Sequence, residues 1–244
     1  MTRPSARDLT VGAGGVAALA TLSTLVVPLT PLAFRNSSIH IAMDATGALV
    51  PALVAYLLVG RFRQGGRTGD LALIFALSLL SVTNLLLSVL PTDIRSGGGY
   101  FTWLAIVSAL LGTMILALSA FIGIRPAKVD ARAAVRAVIA APALVVLTTV
   151  VLIPLASSLP FTVELDPKPG VTSRFSIEEH PVLLGVQLVS ALMYVFAAMG
   201  FTKRAQREND PLMKWLGAGA ILAAFSHVNF FLYPALYATF VYTG

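Results

Sequence analysis

Cysteine is absent from this chain of 244 residues, and charge is scarce: 11% of residues are Asp, Glu, Lys or Arg, against 57% hydrophobic. Without thiols there are no disulfides, no cysteine-ligated metals and no thiol nucleophile, and the redox compartment stays open. The shortage of charge excludes a soluble globule, because too few polar side chains remain to cover a domain of this size. Lysine is missing from the middle of the last apolar block, where Lys214 stands only at one edge, so a retinal Schiff base has no attachment point. No strand precedes Gly12, Gly14 and Gly15, so they do not form a nucleotide-binding loop.

What the chain has in quantity is apolar sequence, with a mean hydropathy of +0.85. It falls into seven blocks, approximately 11–34, 39–60, 71–90, 100–124, 133–155, 181–202 and 211–233. Each holds the ~20 residues a helix needs to cross ~30 Å of hydrocarbon. The fold class is therefore an all-α, polytopic transmembrane bundle of seven spans, read as one transmembrane domain over 1–244. No internal repeat of the transporter kind is evident.

The basic residues set an orientation. With the N-terminus cytoplasmic, the inner side carries Arg3, Arg7, Arg61, Arg63, Arg67, Arg125, Lys128, Arg132, Arg136, Lys203, Arg204, Arg207 and Lys214, and the outer side Arg35, Arg95, Lys168 and Arg174. This positive-inside bias explains the formal charge of +6 without nucleic acid, because the charges lie at membrane edges rather than along one face. Trp103 and Trp215, at the entrances of the fourth and seventh blocks, suit interfacial belts. The first block exceeds a signal-peptide core in length and lacks a clear cleavage site. Arg125, Lys128 and Arg132 in one inner loop suit anionic headgroups. The outer connection 156–180 alternates apolar and polar residues around Pro167-Lys-Pro-Gly170, compatible with a short hairpin or an irregular loop.

Chemistry in such a chain must reside in polar groups within the spans. His40, Asp44, Gly47 and Pro51 share one face of the second block, and Ser78, Ser81, Asn84 and Ser88 form a row in the third. The sixth offers His180, Gln187, Ser190 and Tyr194, and the seventh Ser226, Asn229 and Tyr233, with His227 displaced from that row. These stripes are expected to face one another. On the seven-span topology His40, Asp44, Asn84, Glu179, His180, His227 and Asn229 gather in the outer half.

Three readings of this layer stand open. The polar groups are interhelical hydrogen bonds; or His40, Asp44, Asn84, Gln187, His227 and Asn229 line a small-ligand or proton-sensing pocket; or His40, Asp44, His180 and His227 bind a metal such as zinc or copper, or a haem. No metal-motif spacing is present, and the sequence requires no cofactor. Ser108-xxx-Gly112 is a small-residue step that lets helices approach closely, and Pro28, Pro51, Pro142 and Pro154 are expected to kink or end helices.

The segments His40-Ile-Ala-Met-Asp44, Gly47-Ala-Leu-Val, Gly60-Arg61-Phe62-Arg63, Thr83-Asn84-Leu, Asn229-Phe-Phe-Leu-Tyr-Pro234-Ala-Leu-Tyr237 and Val241-Tyr-Thr-Gly244 together resemble the N-terminal multi-pass sensor region of bacterial sensor histidine kinases of the actinobacterial type. The resemblance covers 39–90 and 211–244 best. It implies a signal-input module in the cell membrane, with His40, Asp44, Asn84 and Asn229 as the matching polar positions and a cytoplasmic kinase or a homodimer partner as output. In that family an eighth span and the kinase follow. The chain stops before both, so it is expected to be either an excised input region or a free-standing relative, and kinase activity is not carried over. A transporter or channel would need a polar path through the inner half, where Tyr56, Thr113 and Tyr194 are nearly alone. A metal- or haem-binding membrane subunit is the other alternative.

Overall fold

The computed structural model describes residues 4–26, 37–89, 99–122, 132–155, 158 and 181–232, with side chains except at 24–26, 37–44, 87–89, 99, 101–102 and 230–232. Among the described residues there are seven α-helices and no strand: α1 Ala6–Val26, α2 Ser37–Gly65, α3 Thr68–Val89, α4 Gly99–Phe121, α5 Arg132–Leu152 (followed by a 3-10 turn at Ile153–Leu155), α6 Pro181–Glu208 and α7 Pro211–Leu232. Among the described residues, five segments are long and apolar enough to cross a membrane: Ala45–Gly65, Thr68–Leu86, Trp103–Phe121, Arg132–Leu155 and Pro181–Glu208. The connection 156–180, apart from Ser158, lies outside the described residues, as do Pro28, Arg125 and Lys128.

Large apolar side chains face outward in runs, including Leu49, Leu53 and Leu57 on α2 and Val146, Leu147 and Val150 on α5. Water does not tolerate contiguous patches of this kind, whereas lipid is their natural solvent. The chain is therefore described as a membrane protein.

The helices group into two compact units, Met1–Arg35 with Glu164–Gly244 and Asn36–Val163. The first contains α1, α6 and α7 and so joins both ends of the chain. The second contains α2 to α5, with a core of Leu79, Leu104, Ala141, Val145 and Leu152, against which Phe75, Tyr100 and Leu111 pack.

Each unit is organised on a hairpin with a two-residue turn, and local chemistry explains both turns. At the end of α2, Gly66 adopts φ 55°, a left-handed conformation open to glycine without a Cβ penalty, and its N–H donates to the Phe62 carbonyl at 2.8 Å. Arg61 then reaches the buried Asp70 at the start of α3, Nε to Oδ2 3.0 Å. Asn209 plays the part of Gly66 after α6, at φ 49°. The next N–H, of Asp210, donates back to the Ala205 carbonyl. The Asp210 carboxylate accepts from the Leu212 N–H at 2.9 Å, and Pro211 occupies the first helical position, where its missing donor does no harm. Within α6, Arg204 is buried and pairs with Glu208 at 2.9 Å.

The helices overrun the apolar blocks at these turns, since α2 extends to Gly65, α3 begins at Thr68 and α6 runs on to Glu208. Arg61 and Arg204, read from sequence as topogenic charges, are thus also tied to carboxylates. Trp103 departs from the belt reading: it is 5% exposed and belongs to the interior of its unit, whereas Trp215 is 64% exposed.

Two glycines permit close approach. A Cβ on Gly112 of α4 would lie 2.9 Å from Leu80 of α3, so the small-residue step at Ser108-xxx-Gly112 meets α3 closely. A Cβ on Gly217 of α7 would lie 2.9 Å from Thr202 Oγ1 and 3.2 Å from Thr10 Oγ1, at the junction of α1, α6 and α7. There the two threonine hydroxyls share a hydrogen bond of 2.9 Å. Gly217→Val is expected to separate them and destabilise the protein by ~1–3 kcal/mol, read as thermal unfolding in micelles. Gly60→Ala, where an added Cβ meets nothing within 4 Å, should leave the midpoint essentially unchanged or slightly raised.

Candidate functional site

Three of the interhelical polar contacts among the described residues involve side chains of the sequence-derived stripes. The first follows from a proline. Pro51 sits inside α2 without an N–H, so the carbonyl four residues earlier, that of Gly47, loses its helical donor. Asn84 Nδ2 of α3 donates to that carbonyl at 3.1 Å, and Ser81 Oγ donates to the adjacent Ala48 carbonyl at 2.8 Å. Asn84 and Ser81 of the third block's row thus meet the second block at the Gly47 and Ala48 carbonyls, and their work at this point is to satisfy backbone beside the proline.

The second cluster locks α7 to α1. Thr21 Oγ1 donates to Asn229 Oδ1 at 2.7 Å, and both residues are buried. Three pairings fix the direction of α1: the Lys214 ammonium donates to the Pro4 carbonyl, Gly14 lies against Ile221, and Thr21 meets Asn229. Residue numbers rise together along both helices, so α1 and α7 run parallel.

The third cluster is on another face of α7. His227 lies two positions before Asn229, about 200° away around a helix of 100° per residue. Its Nδ1–H donates to Gln187 Oε1 of α6, and its ring stacks on Tyr194, with centroids 5.4 Å apart and planes at 27°. Gln187 and Tyr194 are seven residues apart, two turns on one face, which is why a single imidazole reaches both. With Nδ1 committed to Gln187, Nε2 is the nitrogen left to accept a proton or a ligand's hydrogen-bond donor.

The described side chains of the sequence-derived site have different partners. Gln187 and His227 come together; Asn229 is joined to Thr21, and Asn84 to the Gly47 carbonyl. His40 and Asp44 lie one turn apart on α2, with side chains outside the described set, and His180, Glu179 and Tyr233 lie outside the described residues. Among the described residues no three His, Asp or Glu side chains gather as a metal-binding group. Of the metal set His40, Asp44, His180 and His227, the structure thus describes the side-chain position of His227. Tyr194 was visible as part of the α6 stripe, whereas Thr21 was not, being one threonine in an apolar block. A signal for it existed only in the small polar residues Thr10 and Thr21, eleven apart on one helical face.

If Asn84 serves the proline-freed carbonyl, Asn84→Ala should destabilise the protein by ~1–2 kcal/mol. In a Pro51→Ala background, where the helix supplies its own donor, the same change should lose at least half of that effect. A double-mutant cycle of thermal or denaturant unfolding in micelles measures the difference.

No known family, curated protein or solved structure matches this chain.

Proposed function

We propose that the chain is a signal-input module of the cell membrane, built of seven spans with its N-terminus cytoplasmic, that responds to a proton or a small ligand and passes a helix rearrangement to an output partner. The parallel course of α1 and α7 supports the topology, because the first and seventh spans of such a bundle cross in the same direction. The basic residues of α1, of the α2–α3 turn and of the α6–α7 turn support the orientation.

The observation that carries the sensing role is the placement of His227. Asn229 ties one face of α7 to α1, while His227, on another face, holds α6 through Gln187 and Tyr194. Protonation at Nε2, or a hydrogen bond there from a ligand, changes the charge and donor pattern of one contact and leaves the other alone. A two-state shift of α6 against α7 is the result, with the input favouring whichever packing binds it better. His40 and Asp44 on α2 are proposed as a second titratable pair. Transport is less well supported, since the described polar groups between helices are engaged with one another rather than arrayed as a path. The output is assigned to a kinase region or a partner protein, in line with the resemblance to sensor histidine kinase input regions.

Hydrogen exchange of the full chain in lipid nanodiscs tests this reading. Between pH 7 and pH 3.5 the protection of α6 and α7, corrected for the intrinsic exchange rate, is expected to change in the wild type and not in His227→Phe or Gln187→Ala, with helical content the same in all three. Identical exchange in wild type and variants across that range would sink the role of His227. Asp44→Asn and His40→Ala should likewise alter the response while leaving the amount of folded protein unchanged.

A further inference from the structure

Between α1 and α7 the first unit has a groove, open along one side and almost wholly apolar, that encloses about 530 Å³. Asp8, Gly12 and Val16, spaced four apart, form one wall, and Trp215, Gly219 and Leu222 form the other. The two glycines make it a groove. A Cβ on Gly12 or Gly219 would meet nothing within 4 Å, whereas on Gly14 it would touch Ile221 and on Gly217 it would press on Thr202 and Thr10. The helices therefore pack through Gly14 and Gly217 and leave a channel over Gly12 and Gly219.

Charge gathers at only one end of the channel. Asp8 closes a capping box with Ser5: its Oδ2 accepts from the Ser5 N–H at 3.1 Å, and its own N–H donates to Ser5 Oγ at 3.2 Å. The Ser5 hydrogen bonds, with lesser help from Arg7 and Lys214, hold the Asp8 carboxyl below the usual carboxylate value, so it is an anion at neutral pH. The mouth thus presents the Asp8 carboxylate and the Lys214 ammonium, which donates to the carbonyl of the lining residue Pro4, with the exposed indole of Trp215 beside them.

Size selects the occupant. From Pro4 to Val16 the groove follows twelve residues, ~18 Å of helix, and a second α-helix ~10 Å across would occupy ~1,400 Å³ over that length. Such a helix would rest on the rim with side chains reaching in, whereas a single extended acyl chain lies along the floor over Gly12 and Gly219. We propose that this groove binds one phospholipid with a zwitterionic amine headgroup, from the leaflet on the side of the α1 and α7 N-termini. Its acyl chain lies over Gly12 and Gly219, its phosphate faces Lys214, and its ammonium faces Asp8. A purely anionic headgroup sets like charge against Asp8, and an apolar partner offers nothing to either Asp8 or Lys214.

Trp215 lines the groove and is a built-in probe, while Trp103, buried in the other unit, gives a constant background. The full chain in phosphatidylcholine nanodiscs is doped with phosphatidylethanolamine or phosphatidylglycerol brominated on the acyl chain, and Trp fluorescence is followed. Phosphatidylethanolamine is expected to quench at a several-fold lower mole fraction than phosphatidylglycerol. Gly12→Leu/Gly219→Leu, which fills open space, should abolish that difference with helical content and unfolding midpoint retained. Asp8→Asn, which keeps a capping side chain, should abolish the headgroup preference while leaving quenching by both lipids. Equal quenching by the two lipids in the wild type, or a preference that survives the filled groove, overturns the proposal. So does a filled variant that turns a dimer into a monomer with its lipid preference intact, which would assign the groove to a second copy.

Discussion

A polar group in hydrocarbon must find its hydrogen-bond partner inside the protein, and the arrangement of helices here follows from that demand. Pro51 breaks one rung of the α2 ladder, and the freed carbonyl fixes where Asn84 must stand on α3. The adjacent Ser81 bond then allows little sliding between the two helices. In the other unit the hydroxyls of Thr10 and Thr202, and of Thr21 with the amide of Asn229, meet the same demand at two depths along α1. A helix pinned at two depths has its register set, and Gly217 at one of those depths keeps the backbones near enough for the short hydroxyl side chains to meet.

The two hairpins solve the opposite problem at the polar boundary. In each, an aspartate follows a glycine by ten residues, Gly60 to Asp70 and Gly200 to Asp210. In each the turn is made by a residue with positive φ, but the charges are used differently. Asp70 receives an arginine from the preceding helix, whereas Asp210 caps the helix it begins and Arg204 turns to Glu208 on its own helix. The same short connection is thus held by an interhelical ion pair in one unit and by capping in the other.

Much of the architecture was legible because lipid imposes long apolar runs, and the helices fall on the apolar blocks. Their ends were less so. Hydropathy reports where hydrocarbon stops, while the helix continues until a cap stops it, as at Gly66 and Asn209. The Ser5-xx-Asp8 box was present in the sequence, yet the apolar count starting at residue 11 passes over it. Helical periodicity correctly separated His227 from the Asn229 row, and the structure gives the reason, since the two residues serve different neighbours. Periodicity could not say which carbonyl Asn84 would bond, because that depends on a donor the proline lacks. Nor could it show that Trp103 turns inward, since position along a span does not fix a side chain's direction around it.

The parallel pairing of α1 with α7 has a consequence for synthesis. The contacts from Pro4 to Lys214 and from Thr21 to Asn229 span 210 and 208 residues, nearly the whole chain. A hairpin such as α6 and α7 can close as soon as its second helix leaves the ribosome, but α1 has no partner on α7 until α2 to α6 have been translated. Its Thr10 and Thr21 hydroxyls meanwhile have only the carbonyls of their own helix for company, as the Thr10 bond to Ala6 already illustrates. Although α1 precedes the other six helices in translation, it is therefore among the last of them to be fully packed, and its unit is completed after the one formed by α2 to α5.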